Sequence, residues 1–170
     1  MRKYLLLSLF VLSSIIFIGC GGSSTRLESN KPISNEVSCI EGDNKGGQIY
    51  KVLAWGIGDN NESAEIDAKK AAVYSALTGR QGSGNCSIAA LFSPEELDKN
   101  NDFIESFFAY ENQWAQYVTD VNNGKILPGN RIELSDGRVK IGMEIIVSVK
   151  KLEEDLLAKG ILKNRLKWGE

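Results

Sequence analysis

The sequence contains no histidine. This removes the base of a Ser-His-Asp or Cys-His catalytic site. It also leaves any pair of thiols without the ligands needed to complete a zinc shell. No cluster of basic residues stands out, so nucleic acid and anionic lipid headgroups are poor partners. Past residue 18 no second long hydrophobic run follows. Cysteine is scarce, with Cys20, Cys39 and Cys86 making up the total of 3. The patterns that could suggest chemistry are incomplete. Gly56-Ile57-Gly58 lacks the third glycine of a dinucleotide loop. Asp43 and Asn44 lack the alternating oxygen ligands and closing Glu of a calcium loop. Glu95 and Glu96 are better explained as helix-start residues than as a catalytic pair. No catalytic residue, metal or cofactor is expected.

The informative part of the chain is its beginning. Arg2 and Lys3 precede residues 4–18, a run without charge in which Ser8, Ser13 and Ser14 interrupt apolar side chains. A membrane span needs about 20 apolar residues, so this run has the length of a signal-peptide core. It ends at Phe17-Ile18-Gly19-Cys20, followed by Gly21-Gly22-Ser23-Ser24. Ordinary signal peptidase cleavage takes small residues one and three places before the cut, and Phe17 is bulky there. A small residue directly before cysteine resembles the lipobox of bacterial lipoproteins. In that family the thiol receives a diacylglycerol, the preceding peptide is removed, and the new amino group is acylated. The resemblance implies a signal peptide over residues 1–19 and lipidation of Cys20. Each buried methylene contributes about 0.8 kcal/mol, so two or three chains hold a protein stably to a bilayer. Gly21 is not the Asp that in many such lipoproteins signals inner-membrane retention, so the resemblance implies an outer-membrane anchor of unspecified leaflet.

With Cys20 acylated, Cys39 and Cys86 have one possible pairing, and the compartment outside the inner membrane is oxidising. A disulfide between them closes a loop worth roughly 4 kcal/mol in the chain-entropy model; two free buried thiols are the alternative. Without Arg2 and Lys3 the 20 basic residues fall to 18, against 22 acidic ones. About 150 residues remain after residue 19, enough for one domain with a real core. Residues 20–38, rich in Ser and Asn and broken by Pro32, read as a lipidated flexible tether. Residues 39–170 read as a single α+β domain.

Within that domain, Ile49 to Gly58 reads as a strand, apolar on both faces apart from Lys51, as suits mid-sheet. Asp59-Asn60-Asn61 caps a helix that runs to Thr78 and stops at Gly79. Its seam of Ala64, Ala68, Ala71, Ala72 and Ala76 lets it sit close above Ala54 and Gly56. Asp67, Lys69 and Lys70 read as its solvated face. Residues 80–90 form a Gly- and Ser-rich loop holding Cys86. Ser93-Pro94-Glu95-Glu96 starts a second helical stretch. Its helical pattern continues to Val121, with a break point at Asn100-Asn101-Asp102 and a stop at Gly124. Phe107, Phe108, Trp114 and Tyr117 belong to its aromatic stripe, and part of that stripe is expected to remain exposed as a partner surface. Residues 131–150 read as a hairpin with a two-residue turn at Asp136-Gly137. A short helix over residues 152–159 follows, capped by Gly160.

The order strand, helix, helix, hairpin, helix predicts a small antiparallel sheet with the Ala-rich helix packed on it. The Gly/Ala-ended strand, the Ala-stepped helix, the Val-rich strand and the Leu-Leu-Ala-Lys-Gly-Ile ending resemble a family of small outer-membrane lipoproteins. That family includes flagellar basal-disc and assembly lipoproteins. The resemblance spans residues 49–161, with residues 80–125 as an insertion, and implies a structural or assembly role without catalysis. The expected partners are therefore the membrane, through lipid on Cys20, and other envelope proteins or further copies of the chain. The alternative is a binding module for a small ligand or a cell-wall component.

Overall fold

A computed structural model describes residues 30–42, 49–81 and 84–163. The expected signal peptide over residues 1–19, Cys20, Asp43, Asn44 and the final seven residues lie outside the described residues.

The fold is α+β. Its centre is a pair of ten-residue strands, β2 (Ile49–Gly58) and β5 (Val139–Ser148). They pair antiparallel along their whole length, from Ile49 opposite Ser148 to Gly58 opposite Val139. Strand alternation sends Tyr50, Val52, Ala54 and Gly56 of β2 to one face. Opposite them in register stand Val147, Ile145, Met143 and Ile141 of β5. That face is buried. It is covered by helix α1 (Asn61–Thr78). Asn60 caps α1 as its sequence suggests: its Oδ1 accepts from Ser63 N–H at 2.9 Å, and Ser63 Oγ accepts from Asn60 N–H at 3.1 Å. Gly79 closes α1 with φ 65°, a left-handed conformation that favours glycine. The alanine seam is fully buried, each of Ala64, Ala68, Ala71, Ala72 and Ala76 being at most 1% exposed.

The close approach of α1 is structural in origin. A methyl group on Gly56 would collide with the backbone of Ala64 and Ala68, with Ala68 Cα only 2.9 Å away. Helix backbone therefore rests directly on strand backbone, which side chains larger than alanine on the seam would prevent.

Strand β1 (Val37–Gly42) flanks β2 on its other side. It has no clean alternation in sequence, because a register shift between Cys39 and Glu41 interrupts its pairing. The helical stretch expected over residues 93–121 breaks at Asn100, as its Asn-Asn-Asp sequence suggests, and a second time at Tyr110, giving α2 (Pro94–Lys99), α3 (Asn101–Ala109) and α4 (Glu111–Trp114). Ser93 and Glu96 close the predicted capping box on α2. The stretch then leaves the helical state and forms strand β3 (Val118–Asp120) on the outer edge of β5. Strand β4 (Arg131–Glu133) pairs with the other end of that same edge. The sheet order is thus β1-β2-β5-β3, with β4 also on β5. Helix α5 (Val149–Ala158) follows β5 directly and ends at Gly160, with φ 70°.

The hairpin turn also differs from expectation. Leu134 N–H donates to Arg138 O at 2.8 Å, and Gly137 N–H to Leu134 O at 3.0 Å. The loop is thus three residues long, and only Gly137 takes positive φ (87°). Asp136 instead accepts from the Arg138 N–H at 3.1 Å. This is the longer hairpin solution, in which one left-handed glycine suffices.

Candidate functional site

The four aromatic residues expected to offer a partner surface are all buried. Phe107, Trp114 and Tyr117 are 1% exposed and Phe108 is 0% exposed. Phe107 and Phe108 stand edge to face with centroids 5.0 Å apart, and Phe108 meets Tyr74 of α1 at 5.9 Å. Tyr117 stacks on Phe107 at 6.1 Å and donates its hydroxyl to Asp155 of α5 at 2.8 Å. Together they bind α3 to α1 and α5, so the stripe is core and the expected surface does not exist. The reason is tertiary: Phe108 is met by Tyr74 of α1 and Tyr117 by Asp155 of α5, so the stripe is turned inward.

Burial, and then the Asp155 hydrogen bond, push the Tyr117 hydroxyl well above the ordinary tyrosine value. A raised folded value stabilises the fold fully below the unfolded tyrosine value of about 10. That contribution is lost as pH rises through the folded value. Tyr117→Phe is therefore expected to cost about 2 kcal/mol, the worth of a hydrogen bond to a charged acceptor. It should also reduce the alkaline slope of stability above about pH 10, leaving the part due to Tyr50, whose hydroxyl burial likewise pushes up. Urea unfolding of wild type and variant across that range measures both effects. Identical slopes would remove Tyr117 from the account.

The cysteine pairing is present. Cys39 of β1 and Cys86 form a disulfide with Cα atoms 5.3 Å apart. The loop lies tightly along the free edge of β1: Asn85 N–H donates to Cys39 O at 2.8 Å, and a methyl group on Gly84 would meet Cys39 N at 2.7 Å. Covering an edge strand in this way blunts its tendency to pair with other chains.

Asp67, expected on the solvated face of α1, is buried instead. It is 6% exposed and accepts three backbone N–H groups: Ile33 at 2.6 Å, Ser34 at 3.0 Å and Ile57 at 2.9 Å. Burial pushes its carboxyl above the usual range, against the opposing pull of these donors and of Lys70. A signal was available in the sequence. Asp67 lies three residues after Ala64 and four before Ala71, which places it on the buried seam. The contacts of Asp67 also correct the expected tether. From Asn30 onward the segment is held against the domain, and Pro32 and Ser34 are buried. Lys69 is likewise engaged, with Asp120 of β3 at 2.7 Å.

The sheet face opposite α1 offers the remaining candidate. Here Leu53, Trp55 and Ile57 of β2 are half-buried, opposite Glu144, Gly142 and Lys140 of β5. A methyl group placed on Gly142 would be 3.0–3.1 Å from three atoms of the six-membered ring of Trp55. A point nearly equidistant from three ring atoms lies above the ring centre, so the indole lies face-on over Gly142. The Lys140 ammonium sits 5.1 Å from the ring centroid and pairs with Glu36 at 2.7 Å. Lys51 pairs with Glu144 at 2.7 Å. The arrangement is an apolar centre containing a flat aromatic ring, bordered by ion pairs. It suits non-covalent contact with another surface.

A separate open groove of about 710 Å³ runs past Tyr74, Arg80, Leu91, Glu96 and Leu162. Among the described residues no group of three or more His, Cys, Asp or Glu side chains is placed to share a metal ion, and no helix is long and apolar enough to cross a membrane. No family model, no curated protein and no solved structure matches the chain.

Proposed function

We propose that this chain is a lipid-anchored envelope lipoprotein, held to the outer membrane through Cys20, whose domain has a non-catalytic assembly role through contacts with other envelope proteins. The lipobox pattern supports the anchor. The Cys39–Cys86 disulfide supports an oxidising compartment, as expected outside the inner membrane. The observation that carries the contact role is the outer sheet face, with Trp55 at the middle of an apolar patch rimmed by Lys140–Glu36 and Lys51–Glu144. Interfaces favour this composition, with an aromatic anchor inside a polar rim.

Two variants test the parts separately. Cys20→Ala should accumulate as an unprocessed precursor that takes up no labelled palmitate. Normal maturation of that variant would end the anchoring reading. Trp55→Ala should still form the Cys39–Cys86 bridge yet lose the envelope proteins that crosslink to wild type in intact cells. An unchanged crosslinking pattern would end the proposal for this face. The groove of about 710 Å³ supports a second reading, a binding module for a small ligand. A small molecule carried by the envelope-purified protein in native mass spectrometry, and lost on Arg80→Ala, would favour it.

A further inference from the structure

Antiparallel pairing of β1 with β2 runs from Gly42 opposite Tyr50 to Val37 opposite Ala54. Trp55 N–H still donates to Glu36 O at 2.9 Å. Continued by the same register, Ile57 would face Ser34. There the ladder stops, and the side chain of Asp67 enters instead. Its Oδ2 takes both the Ile57 and the Ser34 N–H, and its Oδ1 takes the Ile33 N–H. A helix carboxylate thus stands in for backbone pairing between the sheet and the segment that leads to the N-terminus.

Apart from the buried Pro32, the rest of that segment is held by polar contacts near the surface. Asn30 N–H donates to Glu105 Oε2 at 2.9 Å, and Lys70 Nζ to Asn30 O at 3.2 Å. Lys31 Nζ lies 2.5 Å from Asn101 Oδ1 and 3.4 Å from Glu105. Ile33, its one large aliphatic side chain, is 57% exposed. By contrast Val37 and Cys39, just beyond, are 1% exposed. Surface ion pairs contribute little, and regions with few buried apolar contacts open first. Pro32 is the segment's one buried apolar side chain, and Glu36 at its far end is tied by its carbonyl to Trp55 N–H and by its carboxylate to Lys140. Between these, Asp67 is the chief polar restraint, with three hydrogen bonds from one side chain.

We propose that residues 30–36 are a releasable strap, a stored length of tether that the Asp67 carboxylate latches against the domain. The proposal rests on the reading of Cys20 as the anchor. While latched, the domain is joined to the bilayer by residues 21–29 alone. Release adds seven residues, which at about 3.3–3.6 Å each extend the reach by roughly 24 Å. The same domain then has a short and a long working distance from the membrane, with β1 and its disulfide intact in both.

Amide hydrogen exchange on the full chain in detergent tests the latch. In wild type, Ile33 and Ser34 amides should exchange at least ten-fold faster than Val52 in the core, as expected of a local opening. Asp67→Asn leaves one acceptor oxygen for three donors. It should speed exchange at Ile33 and Ser34 at least ten-fold further, the loss of about one hydrogen bond to a charged acceptor. Val52 should stay unchanged. Ser34→Pro, which removes one of the donors without altering α1, should speed Ile33 in the same way. Exchange at Ile33 and Ser34 as slow as at Val52, or acceleration of Val52 equal to that of Ile33 in both variants, would overturn the latch. Energy transfer from a dye on Asn130 to labelled lipids in vesicles then reads the reach. Asp67→Asn should increase the mean distance relative to wild type, and an unchanged distance would overturn the stored-tether role. Loss of vesicle attachment by both proteins would count against the anchoring reading, while the exchange result would still decide the latch.

Discussion

Gly56→Val is expected to destabilise the fold severely. A Cβ at this position meets the Ala64 carbonyl and the Ala68 amide, and both belong to helix backbone that no rotamer change can move aside. Relief requires lifting α1 off the sheet, which would open voids along Ala64, Ala68 and Ala71. Overpacking a flexible site costs about 1–3 kcal/mol, and here the opposing atoms are rigid, so the expected loss lies at or above the upper end. That is a large share of the roughly 5–15 kcal/mol that a domain of this size has in total. Thermal unfolding followed by circular dichroism measures the outcome. Gly56→Ala should show the same effect in reduced form, because the clash begins at Cβ. A melting temperature within a few degrees of wild type for Gly56→Val would refute the close-contact account.

The second large effect is expected from the double variant Cys39→Ala, Cys86→Ala. The bridge spans a sequence separation of 47, and a loop of that size is worth roughly 4 kcal/mol by restriction of the unfolded chain. The loop should also lose its fixed place beside β1, since the Asn85–Cys39 hydrogen bond then has no covalent support. The rest of the loop has its own attachment at Leu91 and Phe92, whose N–H groups donate to Ala76 O at 3.1 Å and Leu77 O at 3.0 Å. The fold should therefore survive with a lowered urea midpoint. Reduction of wild type with a thiol should reproduce that midpoint within error. A change below about 0.5 kcal/mol, no more than a typical surface substitution, would show that the bridge does not constrain the unfolded chain.

Features with a local physical cause were legible in the residues themselves. Ile49–Gly58 is a ten-residue run with one charge, Lys51, and it forms a strand with those bounds. Asn60, Gly79, Ser93 and Pro94 act on their own or adjacent backbone, and α1 begins, α1 ends and α2 begins where they stand. The alanine seam implied a helix close on Ala54 and Gly56, because small side chains admit nothing else. The cysteine pair followed from there being one pairing to make.

Tertiary structure decided whatever depends on a neighbour distant in sequence. Val118–Asp120 has helical spacing on either side and becomes a strand because the edge of β5 is free to pair with it. β1 is a strand because β2 offers an edge, and its bulge hides the alternation that would have revealed it. Whether Phe107, Phe108, Trp114 and Tyr117 face water or protein is set by the placement of α1 and α5, so a periodic aromatic stripe cannot separate core from interface. The seam position of Asp67 is readable in the sequence, but its partners are not. A carboxylate on a helix is ordinarily solvated, and only the arrival of Ile33, Ser34 and Ile57 from two other segments supplies the donors that make its burial tolerable. Local chemistry thus determined where elements start, stop and come close, while the pairing of distant segments determined which polar and aromatic groups are buried.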